Sequence, residues 1–228
     1  MMSDSPNPYL PPATPSSEAG MEWMANQPTA LSKTALGLSL VYYGIVLLLF
    51  SLILAMLAGF FLPLVAMLAL PGILFAPILM FVGPLFCLTV PAHTNAKGLI
   101  TATVLLQLAN YIAIFLPMVG FDFGAFQPFM QTLNLLSNIC FLLFMRQLAL
   151  FIGRNDLAGR ASRILIGGIV FFLGMLVGII ATATPLAMRE AWMIMLALLA
   201  IGAVVLFVMY ANLLNALSKA LKNAKTPS

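Results

Sequence analysis

At 228 residues, with 63% apolar and 7% charged side chains and a mean hydropathy of +1.10, the chain lies far outside soluble globular composition. Its net charge of +4 and pI near 9.3 come from ten Lys and Arg scattered between apolar runs, with no stripe to hold a nucleic acid. A soluble domain of useful size and a nucleic-acid partner are both excluded.

Residues 1–33 are rich in Pro and Ser, and such a segment buries too little surface to repay ordering its backbone, so a disordered tail is expected. Met21, Trp23 and Met24 at its end either continue the tail or rest weakly on the headgroup layer, next to Glu18 and Glu22. The first apolar run has no cationic lead segment and is far longer than a signal-peptide core, which argues against a cleaved leader.

Between Lys33 and Lys97 stand 63 residues without a formal charge. As one helix they would extend about 94 Å, roughly three bilayer cores, so the run must turn and cross twice. Remaining charges divide the rest at single-crossing intervals. The predicted spans are 35–58, 64–90, 98–118, 129–152, 163–184 and 190–217, and apolar runs of this length read as helices rather than barrel strands. The expected fold is therefore all-α, a polytopic integral membrane protein forming a six-transmembrane-helix bundle. Its membrane domain covers 34–217, followed by a short basic tail at 218–228.

Six crossings place both ends on one side. Lys33, Lys97, Arg146, Arg154, Arg160, Arg163, Lys219, Lys222 and Lys225 then share that side, and Arg189 alone lies opposite. The positive-inside rule makes the crowded side cytoplasmic, in a bacterial-type inner (plasma) membrane.

In the first helix Gly37, Gly44, Ser51 and Ala58 recur every seven residues, and Ser51, Ala55 and Gly59 every four. Small side chains let helices approach closely in a solvent where apolar burial gains nothing over lipid tails, so this seam serves either packing within the bundle or a homodimer. The second helix carries Pro63, Pro71, Pro77, Pro84 and Pro91. Its interior prolines, Pro71, Pro77 and Pro84, each remove a backbone hydrogen bond and mark candidate kinks; the helix is either simply kinked or broken, as in transporters.

The third and fourth helices carry the main polar set, Thr103, Gln107 and Asn110 on one face and Gln131, Asn134 and Asn138 on the other. Opposite chain directions put these amides at comparable depths. They either pair between helices or line a narrow cavity for a neutral solute or a lipid headgroup. Arg146 is the one charged residue within a span, expected to snorkel to lipid phosphate together with Arg154, Arg160 and Arg163. Gly153 is expected to end the fourth helix, and Asn155 or Asp156 to cap the fifth.

The outer connection holds Asp122 among Phe121, Phe123, Phe126 and Phe129, and Arg189, Glu190 and Trp192 suit the outer headgroup boundary. The fifth helix repeats the small-residue device with Gly174, Gly178 and Thr182.

Chemistry is limited by inventory. A lone His93 supplies neither a bis-histidine site nor an HExxH motif, and Cys87 and Cys140 lack metal or redox spacing and read as free apolar packers. No pair of acids lies within the spans, against aspartyl proteolysis or a proton relay. The expectation is a noncatalytic bundle subunit or accessory factor with no cofactor and no metal. Its partners are the lipid bilayer and, beyond it, other membrane subunits or a second copy. The alternative is a small permease or channel for a neutral or amphipathic molecule, using the proline-rich helix and the amides.

Overall fold

The computed structural model describes residue 23 and residues 26–61, 63–91, 94–115, 127–181 and 189–223. Six helices follow in order: α1 (Pro28–Phe61), α2 (Pro63–Cys87), α3 (Asn95–Phe115), α4 (Gln127–Phe151), α5 (Asn155–Ala181) and α6 (Arg189–Asn223). Each contains a stretch of at least 18 residues long and apolar enough to cross a bilayer. The chain is a multi-pass membrane bundle of six helices, and among the described residues all regular structure is helical.

Three helix ends differ from the expected spans. α1 begins at Pro28, inside the segment assigned to the tail, with proline at the first helical position where its missing N–H costs nothing. α5 begins at Asn155, eight residues before the expected start, and α6 runs through Ser218 and Lys222 to Asn223, absorbing most of the expected basic tail. Hydropathy locates the part of a helix that sits in lipid, whereas backbone hydrogen bonding continues through good helix formers such as Lys, Arg and Ala until a turn stops it. Residues 1–22, Lys225, His93 and the Asp122 connection lie outside the described residues, as do the side chains of Arg189, Glu190 and Trp192.

Trp23 departs most from its expected place. It is buried, not laid on the headgroups, with its ring centroid 5.8 Å from that of Phe151 at the end of α4.

The α4–α5 corner has a clear local cause. Gly153 takes φ +74°, its N–H donates to the Leu150 carbonyl and the Arg154 N–H to that of Ala149, which is the paired closure of a Schellman motif. Neither Asn155 nor Asp156 stands before the next helix as its cap. Both belong to its first turn, and the Arg154 carbonyl accepts from the N–H groups of Leu157 and Ala158.

α2 is one uninterrupted helix with Pro71, Pro77 and Pro84 inside it, so the broken-helix reading does not hold. Each proline forfeits a single hydrogen bond, and six or seven residues separate them, enough for intact turns on either side. The Tyr111 hydroxyl of α3 donates to the Pro77 carbonyl at 2.9 Å, and its ring meets Phe81 edge-on at 5.1 Å.

Every helix packs on its chain neighbours, and α1 packs on α6 to close a ring; the α2–α3 interface is the thinnest. Successive helices are antiparallel, so the described basic residues of the crowded set gather at one end. The buried core gathers there too. Leu31, Leu38, Ile100, Phe144, Leu148, Leu157, Leu214, Leu217 and Leu221 are all buried, and all lie in the basic-end half of their helices. Farther along, large apolar side chains such as Phe50, Leu68, Phe75 and Val170 are exposed, as a lipid-facing surface requires.

Candidate functional site

The small-residue seam of α1 faces α2. A β-carbon on Gly37 would run into the Gly83 carbonyl, one on Gly44 would lie 2.8 Å from Met80 Cγ and 3.0 Å from the Ala76 carbonyl, and one on Gly72 would strike the Ser51 hydroxyl. Gly72 and Gly83 of α2 are the partners that let the two helices approach closely. Ala55 of the expected seam is exposed. Ala58, Gly59 and Gly178 lie on helices, but their side-chain surroundings fall outside the described residues, and Thr182 falls wholly outside. Gly174 faces Leu199 of α6, and Gly167, not singled out beforehand, faces Leu206.

Hydroxyls clasp the basic end. The Ser39 and Ser218 hydroxyls stand 2.7 Å apart and each lies 3.0 Å from the Ala35 carbonyl, so their two protons are shared among three contacts, and the Lys222 ammonium donates to Ser39 Oγ at 3.1 Å, joining α1 to α6. Thr34 and Thr89 meet at 3.1 Å between α1 and the end of α2. Sequence reading missed these residues because a Ser or Thr in a membrane helix can equally bond its own preceding turn, as Thr101 does to the Lys97 carbonyl.

The Arg146 Nε donates to Ser162 Oγ at 3.1 Å, which ties α4 to α5. Arg154 pairs with Asp156 at 3.0 Å in an exposed bridge, and that hydrogen bond holds its guanidinium above its ordinary pKa. Arg160 and Arg163 are exposed at the same end.

Among the described residues the amides of α3 and α4 do not pair across the helices. Asn138 Nδ2 donates to Asn134 Oδ1 at 3.3 Å within α4, and the α3–α4 link is instead made by Ser137, whose hydroxyl donates to the Thr103 carbonyl at 3.3 Å. The Thr103 hydroxyl turns back to the Leu99 carbonyl. Gln107 Oε1 is buried without a partner, and among the described residues the Asn110 amide makes no hydrogen bond. The side chain of Gln131 falls outside the described residues.

Above the packed basic end lies an open-sided cavity of about 370 Å³. Five helices supply its wall, among them Ile45 of α1, Met80 of α2, Asn138 of α4, Gly168 and Phe171 of α5, and Tyr210 of α6. Of the amide and hydroxyl positions expected on α3 and α4, Asn138 alone among the described residues reaches it, and no described residue of α3 does. Apart from Asn138 and Tyr210 the described wall is apolar, and among the described residues no charged side chain lines it. Such a space suits an uncharged guest held largely by dispersion and oriented by one or two hydrogen bonds. Tyr210 and Gly168 carried no signal in the sequence, since an aromatic or glycine within an apolar helix has no marker for facing inward.

Comparison with protein-family models, with curated proteins and with solved structures yields no match.

Proposed function

We propose that the chain is a noncatalytic bundle subunit or accessory factor of a bacterial-type inner membrane, with both termini in the cytoplasm. The observation that carries this reading is the use made of its polar side chains. Ser39, Ser218 and Lys222, Thr34 and Thr89, and Arg146 and Ser162 are each spent on joining one helix to the next. Orientation rests on the nine basic residues at one end against Arg189 at the other. Partners under this reading are the bilayer, other membrane subunits or a second copy.

Gentle extraction with native lipid followed by mass spectrometry tests it: a co-isolated membrane chain or a dimer is expected. A lone monomer that turns over a substrate would overturn the noncatalytic reading. Reporter tags on Ser3 and Ser228 should both respond in the cytoplasm, and signals from opposite compartments would overturn the topology.

A second reading, a small permease or channel for a neutral or amphipathic molecule, is favoured by the cavity with Asn138 in its wall. It now has to run past a continuous α2 and a single amide rather than through a broken helix and two facing rows. Reconstituted vesicles should show flux that Asn138→Leu abolishes; vesicles carrying folded protein but no flux of uncharged solutes count against it.

A further inference from the structure

The cavity's wall constrains its guest in three ways. Its volume of about 370 Å³ leaves room for roughly a dozen non-hydrogen atoms at ~30 Å³ each, near the lower end of ligand pockets. It offers no charged side chain, so an ionised headgroup would enter without a counter-charge at a depth where that is costly. Yet it is not uniformly apolar. Tyr210 lies in the wall, and among the described residues its hydroxyl has no hydrogen-bond partner. Among the described residues Asn138 bonds Asn134 alone, through one amide N–H, and its second N–H and its carbonyl oxygen have no described partner.

Two further features point to the guest's source. Toward the basic end the helices that line the cavity carry the buried side chains of Phe144, Leu148, Leu214 and Leu217, whereas Asn138 in its wall is exposed on the apolar surface of the bundle. And the wall keeps space open: a β-carbon on Gly168 would meet nothing within 4 Å, whereas the seam glycines of α1 and α2 are filled by their neighbours.

We propose that this cavity is a binding site for one neutral, single-chain amphiphile drawn from the bilayer, a hydrocarbon tail ending in a hydroxyl or carbonyl group that Tyr210 and Asn138 recognise. The tail gains dispersion contacts with Ile45, Met80 and Phe171, and the polar end occupies hydrogen-bonding groups that lipid tails cannot satisfy. The site stands independently of the accessory and permease readings, because a resident molecule needs neither a partner chain nor an exit.

Photolabelling of the full chain in nanodiscs of uncharged lipid tests it, with diazirine-bearing dodecanol as probe and peptide mapping as readout. Saturable labelling is expected around Asn138, Gly168 and 203–210, displaced by plain dodecanol and at least tenfold less well by dodecane. Gly168→Leu, which places a side chain in the empty space, should lower that labelling at least tenfold while leaving non-saturable labelling of lipid-facing Phe50 and Val170 unchanged; the latter serves as the check on folding. Should Gly168→Leu fail that check, Ala203→Leu fills the same cavity from α6. Tyr210→Phe should weaken competition by dodecanol several-fold and leave competition by dodecane as it was. Labelling that never saturates, or that is indifferent to both filling variants, would overturn the site. Equal competition by dodecane and dodecanol would overturn the amphiphile as its guest.

Discussion

Gly37 and Gly168 sit in similar surroundings by sequence, each inside a long apolar helix, and do opposite things in the bundle. A β-carbon at Gly37 would collide with the Gly83 carbonyl, while one at Gly168 would meet nothing within 4 Å. The first lies in the α1–α2 seam of the close-packed basic end; the second lies in the wall of the cavity above it. Lipid-bound helices gain nothing from burying apolar surface as such, so close approach is one use of a missing side chain and vacant space is the other. Which use applies depends on the neighbour, and the neighbour at 83 is backbone.

The sharpest way to break this contrast is Gly37→Leu. Because backbone cannot swing aside, α1 and α2 must separate, and a loss of about 3 kcal/mol is expected, the upper part of the usual overpacking range. Unfolding in mixed detergent micelles measures it, and a variant as stable as the parent would show that the seam is not tight.

Next in size is the comparison of Leu217→Ala with Leu68→Ala. Leu217 is 0% exposed and Leu68 is 70% exposed to the lipid side. The first should lose about 2 kcal/mol, at the low end of buried Leu→Ala losses because transfer to lipid is no penalty and chiefly the void remains. The second should change little, and equal losses in the same titration would erase the distinction between packed and lipid-facing surface.

Ser218→Ala removes one clasp of the basic end. An interhelical hydrogen bond in a membrane protein contributes about 0.6 kcal/mol on average and up to about 1.7. Since Ser218 touches both Ser39 and the Ala35 carbonyl, a loss near 1 kcal/mol is expected, and pairing it with Ser39→Ala should give less than the sum of the two. Strict additivity would mean that the two hydroxyls do not act together.

Smallest is Gly168→Ala, with a change within about 0.5 kcal/mol or a slight gain, since alanine is the better helix former and its methyl meets only empty space. A loss comparable to that of Gly37→Leu would refute the open wall.

Several features were legible from residues alone. The 63-residue uncharged run and the spacing of charges place six crossings, and Gly153 marks the end of α4 because only a left-handed residue closes that turn readily. Helix ends were less legible. α5 starts eight residues early and α6 continues past Ser218, because polar residues at the interface extend a helix as readily as apolar ones. Of the described members of the candidate polar set Asn138 alone reaches the cavity, and among the described residues α3 and α4 are joined by the Ser137 hydroxyl and the Thr103 carbonyl rather than by amide pairs.

What the chain's own residues settle is how often it crosses and which end carries the positive charge, for each residue's preference between water and hydrocarbon acts without regard to its neighbours. Which face of each helix turns inward, that Arg146 meets Ser162, and where a cavity is left were decided only when the helices met. In lipid the outside of a bundle is as apolar as its inside, so hydropathy holds no record of helix rotation. That information lies in the fit of Gly37 to Gly83, of Tyr111 to the Pro77 carbonyl, and in the space beside Gly168 that no neighbour fills.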